Sequence, residues 1–95
     1  MTTASERHPA PSEIEKTIRN FMSEALLISF GKDIQADTDL FETGLIDSFG
    51  FTELVAFLEG TFNVKLSDDE LASVDTSTLS GITRMIVRHQ LTKTL

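Results

Sequence analysis

The sequence has no cysteine, which excludes disulfides, a cysteine nucleophile and thiolate metal sites. Tryptophan and tyrosine are also absent, so stacking on nucleic-acid bases would depend on phenylalanine alone. No apolar run approaches the roughly 20 residues that a membrane-spanning helix needs. The first residues lack the apolar core of a secretory signal. We therefore expect a cytoplasmic protein without membrane insertion.

Basic residues are scarce as well. The 95 residues include 8 Lys and Arg against 15 Asp and Glu, a formal net charge of −7. Most of the imbalance lies in residues 33–75, where eleven acidic residues face one basic residue, Lys65, for a net charge of −10. Such a chain repels phosphate backbones, which argues against nucleic acid as a partner. The acidic segment is either an ordinary solvated surface or a surface that steers basic partner proteins.

The spacing of apolar residues predicts an all-α fold, since no strand pattern is present. We expect a small four-helix bundle with a short third helix and a long loop between helices one and two. A chain of 95 residues is enough for one small domain. Our predicted boundaries are a disordered tail over 1–11, the domain over 12–92 and a C-terminal tail over 93–95.

Helix one is predicted over about 12–30. Ser12 and Glu15 have the spacing of a capping box, and Gly31 is its expected stop. The following connection, 32–46, has no helical period but contains several apolar residues. We expect these residues to pin the loop across the core: Ile34, Leu40, Phe41, Leu45 and Ile46.

Helix two is predicted to begin near Asp47 and Ser48 and to have two different faces. The core face comprises Phe51, Leu54, Val55, Leu58 and Phe62. The opposite face mixes apolar and acidic residues: Phe49, Thr52, Glu53, Ala56 and Gly60, with Glu59 at its edge. This second face is either plain exposed surface or a docking face.

Two further helices follow. Ser67 and Glu70 form a second capping-box pattern, which opens a short helix through about Ala72. Residues 75–78 offer several caps for a fourth helix. Its apolar stripe contains Leu79, Ile82, Met85, Ile86 and His89.

Candidates for catalysis are few, and we predict neither a catalytic residue nor a metal site. The two histidines are His8, in the predicted tail, and His89, on the stripe of helix four. His89 is more typical of a core-edge histidine or a helix C-terminal cation than of a catalyst. The alternation of Asp37 and Asp39 suggests a calcium loop, but Phe41 occupies the third ligand position.

Ser48 is the remaining candidate. An Asp-Ser pair ahead of a helix is typical of a helix cap. A serine at a helix N-terminus is also well placed to carry a phosphate, because free backbone N–H groups and the helix dipole stabilise the anion. The residues alone leave both interpretations open.

The run DLFETGLIDSF over residues 39–49, followed by Glu53-Leu54 and Phe62, resembles acyl and peptidyl carrier proteins. The resemblance covers about residues 12–92. The form Gly-Leu-Ile-Asp-Ser-Phe is more similar to discrete carriers, such as the D-alanyl carrier group, than to fatty-acid carriers.

The resemblance implies a non-catalytic carrier that acts after modification. Ser48 would hold a covalent 4′-phosphopantetheine arm from coenzyme A, and Asp47 would support its attachment. Phe49, Glu53, Ala56 and Glu59 would contact partner enzymes.

The implied partners are a phosphopantetheinyl transferase, an adenylating ligase or acyltransferase, and downstream synthase enzymes. The arm's thiol would hold an acyl or aminoacyl cargo as a thioester, for specialised-metabolite, polyketide, peptide or lipid assembly. We expect a monomer. The alternative is an unmodified acidic helical adaptor that docks basic proteins and uses Ser48 only as a cap.

Overall fold

The computed structural model describes residues 10–93. Its elements are α1 (Pro11–Ala25), α2 (Ser48–Phe62), α3 (Asp68–Leu71), a 3-10 helix (Val74–Ser77) and α4 (Leu79–Lys93). No strand is present between residues 10 and 93. The predicted all-α fold of four helices, with a short third helix and a long first loop, is therefore confirmed.

The beginning of α1 differs from the prediction. Its first residue is Pro11, whose fixed φ suits the first helical position. Glu13 Oε1 accepts a hydrogen bond from the backbone N–H of Ala10 at 3.3 Å. Ser12 thus lies inside the first turn, and the predicted capping box of Ser12 and Glu15 is wrong.

The end of α1 also differs, because the helix stops at Ala25 instead of continuing to about residue 30. Leu27 has a left-handed backbone with φ 59°. The N–H groups of Leu26 and Ile28 both donate to the Met22 carbonyl, at 3.1 and 3.0 Å. Ile28 is still buried, but it reaches the core from the loop, which is why apolar spacing alone predicted a longer helix.

The core lies between α1, α2 and α4. Its helical members are Ile14, Ile18, Met22, Leu54, Leu58, Phe62, Leu79, Ile82, Met85 and Ile86. Phe51 and Val55, predicted for the core face of α2, are only half-buried at its margin. Phe57, which we did not assign to the core, stacks on Phe21 of α1 with ring centroids 4.1 Å apart.

The connection between α1 and α2 crosses the core as predicted. Leu40 and Ile46 are buried. The Leu40 N–H donates to the Ser77 carbonyl at 2.7 Å, and the Ser80 N–H donates to the Ala36 carbonyl at 2.9 Å. These bonds fasten the loop to the 3-10 helix and to the start of α4. Phe41 does not enter the core; it is 36% exposed and meets the Phe51 ring edge-on at 5.2 Å.

The predicted capping box of α3 is confirmed. Ser67 Oγ accepts from the Glu70 N–H at 3.1 Å, and Glu70 Oε1 accepts from the Ser67 N–H at 2.9 Å. The other Glu70 oxygen lies 2.7 Å from His89 Nε2. His89 is half-buried, so it is a core-edge histidine that ties α3 to α4.

The approach to α4 contains the 3-10 helix, which the sequence did not predict. Thr78 Oγ1 accepts from the Gly81 N–H at 2.9 Å, which caps α4 within the predicted 75–78 segment. Pro11 and Lys93, which we had placed in the tails, are helical. The predicted tail residues 1–9 and 94–95 lie outside the described residues, as does His8.

Candidate functional site

The start of α2 is capped by Asp47. Its backbone is extended, and its Oδ1 accepts a hydrogen bond from the Gly50 N–H at 2.8 Å. A carboxylate in this position also interacts favourably with the positive end of the helix dipole. The interpretation of Ser48 as the cap is therefore wrong, because its neighbour holds that position.

Ser48 is the first residue of α2 and is exposed. Its carbonyl accepts from Thr52 Oγ1 at 3.0 Å. Within residues 10–93, its hydroxyl makes no hydrogen bond to another group. The serine hydroxyl is consequently available for chemistry at its surface position.

The loop ahead of Ser48 sets its position. Asp39 Oδ1 accepts from the N–H groups of Phe41 and Glu42, at 3.0 and 2.8 Å, and so shapes the turn. Gly44 follows with φ +80°, a backbone conformation that favours glycine. Burial of Ile46 then holds the chain against the core directly before the cap.

Gly50 packs tightly in the first turn of α2. A Cβ at this position would lie 3.3 Å from Asp47 Oδ1 and 3.5 Å from Leu26 Cδ2. The end of α1 thus lies against the start of α2. A shallow pocket of about 260 Å³ lies at this junction, with Ala25 and Leu26 among the lining residues.

The predicted docking residues lie on α2 beyond Ser48. Phe49 is 72% exposed, and Glu53 and Ala56 are also exposed. Glu59 is half-buried, and its Oε2 accepts from the Leu66 N–H at 3.0 Å. One Glu59 oxygen therefore supports the loop after α2, while the other three side chains present an open face.

Comparison with known proteins decides what kind of site this is. A family model described as the phosphopantetheine attachment site matches residues 16–86. The chain belongs to this phosphopantetheine-attachment family. The matched segment contains the whole of α2, including Ser48.

Curated relatives of this carrier protein agree. It is 42% identical over 54 residues to the D-alanyl carrier protein of Streptococcus pyogenes serotype M1, a match covering 57% of this chain and 68% of the relative. The same values hold for the D-alanyl carrier proteins of S. pyogenes serotype M5 (strain Manfredo) and serotype M49 (strain NZ131). No solved structure matches the chain.

The chain is thus a carrier and not an enzyme, and its cofactor is covalent 4′-phosphopantetheine. Carriers of this kind work with a phosphopantetheinyl transferase and with ligases or synthases. A free hydroxyl at a helix N-terminus fits the phosphate end of the arm.

Among the described residues, no group of three or more His, Asp or Glu side chains could hold a metal ion. No helix in this part of the chain is long and apolar enough to span a bilayer.

Proposed function

We propose that Ser48 is the attachment residue and that the protein carries an aminoacyl cargo between biosynthetic enzymes in the cytoplasm. Ser48 Oγ bonds to phosphorus as the nucleotide part of coenzyme A leaves, and the serine proton passes to the transferase. When bound, the arm supplies a terminal thiol that holds the cargo as a thioester. The observation that carries this proposal is the exposed Ser48 hydroxyl, which has no partner within residues 10–93.

The start of α2 supports a phosphate on Ser48. Asp47 Oδ1 accepts the hydrogen bond of the Gly50 N–H, and the Asp47 carbonyl accepts that of the Phe51 N–H at 2.9 Å. The N–H groups of Ser48 and Phe49 precede these bonds and have no acceptor between residues 10 and 93. Together with the dipole of a 15-residue helix, they stabilise an anion at this end.

Asp47 has a second proposed role besides its cap. Only one of its carboxylate oxygens receives the Gly50 N–H, and the residue is exposed. The other oxygen is free to help the transferase place Mg²⁺, a hard cation that takes carboxylate and phosphate oxygens. We therefore expect Asp47 to support attachment directly as well as through the geometry of the helix.

Partner enzymes dock on Phe49, Glu53 and Ala56 in this proposal, with Glu59 at the edge of the face. The surrounding segment 33–75 carries a net charge of −10, which attracts basic partner surfaces. Association rates should fall as salt rises from about 0.01 to 0.15 M, because the Debye length shortens from about 30 to 8 Å. Rates independent of salt would remove electrostatic steering from the proposal.

The aminoacyl cargo is proposed from the Gly-Leu-Ile-Asp-Ser-Phe motif and the similarity to D-alanyl carrier proteins. An adenylating ligase would then load the thiol, and a monomeric carrier would leave each enzyme after a weak, transient contact. The test supplies the modified protein with a D-alanine-activating ligase or with a fatty-acid-activating ligase. Thioester formation with the fatty acid alone would contradict an aminoacyl cargo.

Attachment itself is tested by intact mass after incubation with coenzyme A and a broad-specificity phosphopantetheinyl transferase. Wild type should gain one phosphopantetheine, Ser48→Ala none, and the matched variant Ser23→Ala, at an exposed position of α1, one. A wild-type chain that stays unmodified would favour the adaptor alternative.

A further inference from the structure

Leu27 combines two unfavourable features. Its backbone is left-handed, with φ 59°. The residue with this conformation after a helix is usually glycine, because glycine has no Cβ. The Leu27 side chain is 81% exposed, so burial does not compensate for the backbone. The other non-glycine residue with positive φ in the described chain is Asn63, with φ 54°, and asparagine tolerates this conformation. The fold alone therefore gives no reason for leucine at position 27.

The position of Leu27 connects it to the start of α2. Its neighbour Leu26 comes within 3.5 Å of where a Gly50 Cβ would lie. The pocket of about 260 Å³ at this junction is lined by Ala25 and Leu26 from α1 and its end, and by Phe49 and Glu53 from α2. Leu27 thus leaves the end of α1 beside the turn that presents Ser48.

The surface between α1 and α2 continues beyond this junction. A second, largely apolar groove of about 430 Å³ is lined by Phe21, Ala25, Glu53, Ala56 and Phe57. The two depressions share Ala25 and Glu53. Ala25, which lines both depressions, lies two residues before Leu27, so an apolar contact at Leu27 would lie close to the face that carries Phe49 and Ala56.

We propose that Leu27 is an apolar anchor for the phosphopantetheinyl transferase, an inference that rests on the proposed attachment at Ser48. The transferase must bring phosphorus within bonding distance of Ser48 Oγ, so its footprint has to cover the start of α2. Enzymes that act on the thiol work at the far end of the arm, so their docking on the face of α2 need not extend to the end of α1. The acidic surroundings require a transferase surface in which an apolar patch is bordered by basic side chains. A second copy of this chain fits poorly, because two chains of net charge −7 repel each other.

Substitutions at Leu27 separate docking from folding. Leu27→Gly removes the side chain and suits the left-handed backbone, so its melting temperature should equal or exceed that of wild type. Leu27→Asn tolerates the same backbone but is polar, and Leu27→Met keeps an apolar side chain. The control is Leu91→Gln, because Leu91 is also exposed, at 62%. It lies next to Gln90, which bonds to Phe62 at the opposite end of α2 from Ser48.

The experiment measures transfer from coenzyme A by a broad-specificity transferase at varied concentrations of the carrier. Leu27→Gly and Leu27→Asn should raise KM at least about fivefold with kcat unchanged, as expected when binding to a partner is lost uniformly. Leu27→Met and Leu91→Gln should stay within about twofold of wild type. Thermal melting of each variant is recorded in parallel.

Four results would overturn the proposal. Unchanged KM in Leu27→Gly and Leu27→Asn would show that the transferase does not use the side chain. A melting temperature that falls together with the rise in KM would assign Leu27 to folding. A wild-type dimer in sedimentation that Leu27→Asn dissociates would assign it to self-association. A wild-type chain that accepts no arm would overturn both the Leu27 proposal and the attachment at Ser48. If wild type is modified normally but KM is unchanged in the Leu27 variants, only the Leu27 proposal is overturned.

Discussion

Two helices of this carrier begin with the same pair of residue types in opposite order. Asp47-Ser48 opens α2 and Ser67-Asp68 opens α3. In each pair the first residue is the cap: Asp47 Oδ1 accepts from the Gly50 N–H at 2.8 Å, and Ser67 Oγ accepts from the Glu70 N–H at 3.1 Å.

The order of the pair decides what its serine can do. The Ser67 hydroxyl is committed to the backbone of α3, whereas the Ser48 hydroxyl lies one residue beyond its cap and has no partner within residues 10–93. Because aspartate caps as well as serine does, the Asp-Ser order keeps α2 capped and leaves the hydroxyl free. The Ser48 hydroxyl is therefore free because Asp47 supplies the cap of α2.

Reversing the first pair should have the largest effect on modification. In the double substitution Asp47→Ser and Ser48→Asp, the new serine can cap α2 and the new aspartate lies near the positive end of the dipole. We expect complete loss of phosphopantetheine transfer with a change of at most about 0.5 kcal/mol in the free energy of unfolding. Intact mass and urea unfolding measure the two effects. Modification at the new serine would show that a capping hydroxyl is still accessible.

Removing the cap of α2 should reduce stability. Asp47→Ala leaves the Gly50 N–H without its acceptor and should cost about 0.5–2 kcal/mol in the free energy of unfolding. Asp47→Asn retains an acceptor oxygen and should lose less. Urea unfolding compares the two variants. Equal stability of Asp47→Ala and wild type would mean that the Asp47 hydrogen bond does not hold the helix start.

Removing the cap of α3 should lower stability without affecting phosphopantetheine transfer. Ser67→Ala should lower the free energy of unfolding by about 1 kcal/mol. This loss should not exceed that of Asp47→Ala, because α3 has only 4 residues whereas α2 has 15. Phosphopantetheine transfer should proceed at the wild-type rate, measured by intact mass over time. A transfer defect as large as that of Ser48→Ala would contradict the distinction between the two serines.

The smallest predicted effect is a pH dependence at α3. The Ser67 backbone hydrogen bond, aided by His89 and opposed by burial, lowers the pKa of Glu70. Its stabilisation is therefore fully present above the unfolded pKa of about 4.3 and is lost as pH falls through the lower folded pKa. The stability difference between wild type and Glu70→Gln should shrink when urea midpoints are followed from about pH 6 to 3. The exposed neighbour Asp69→Asn controls for the change in net charge, and a difference that stays constant with pH would contradict the assignment.

Local signals predicted some boundaries well. The box of Ser67 and Glu70 and the beginning of α2 depend on contacts over three residues, so they are visible in the sequence. At α1, two such signals overlapped, and Pro11 with Glu13 prevailed over Ser12 with Glu15. Local rules could not rank these alternatives.

Other features depend on tertiary contacts. Aspartate and serine cap about equally well, and in the fold Asp47 is the cap, with the buried Ile46 before it and the tightly packed Gly50 three residues after it. The left-handed backbone of Leu27 lies directly after the end of α1, although the apolar spacing continues to Ile28. No residue type at this point of the sequence predicts the end of the helix. The carrier motif was thus predictable from sequence, whereas the free state of the Ser48 hydroxyl and the junction of α1 with α2 beside it were not.

The most direct test of the account is to locate the modification within the chain. Cleavage after Lys32 and Lys65 releases a peptide of residues 33–65, in which Ser48 is the single serine. After treatment with coenzyme A and the transferase, we predict that this peptide carries the entire mass gain and that fragmentation places it on Ser48. A gain on any other peptide, or on a threonine of this one, would contradict the claim that α2 presents a free serine for the arm.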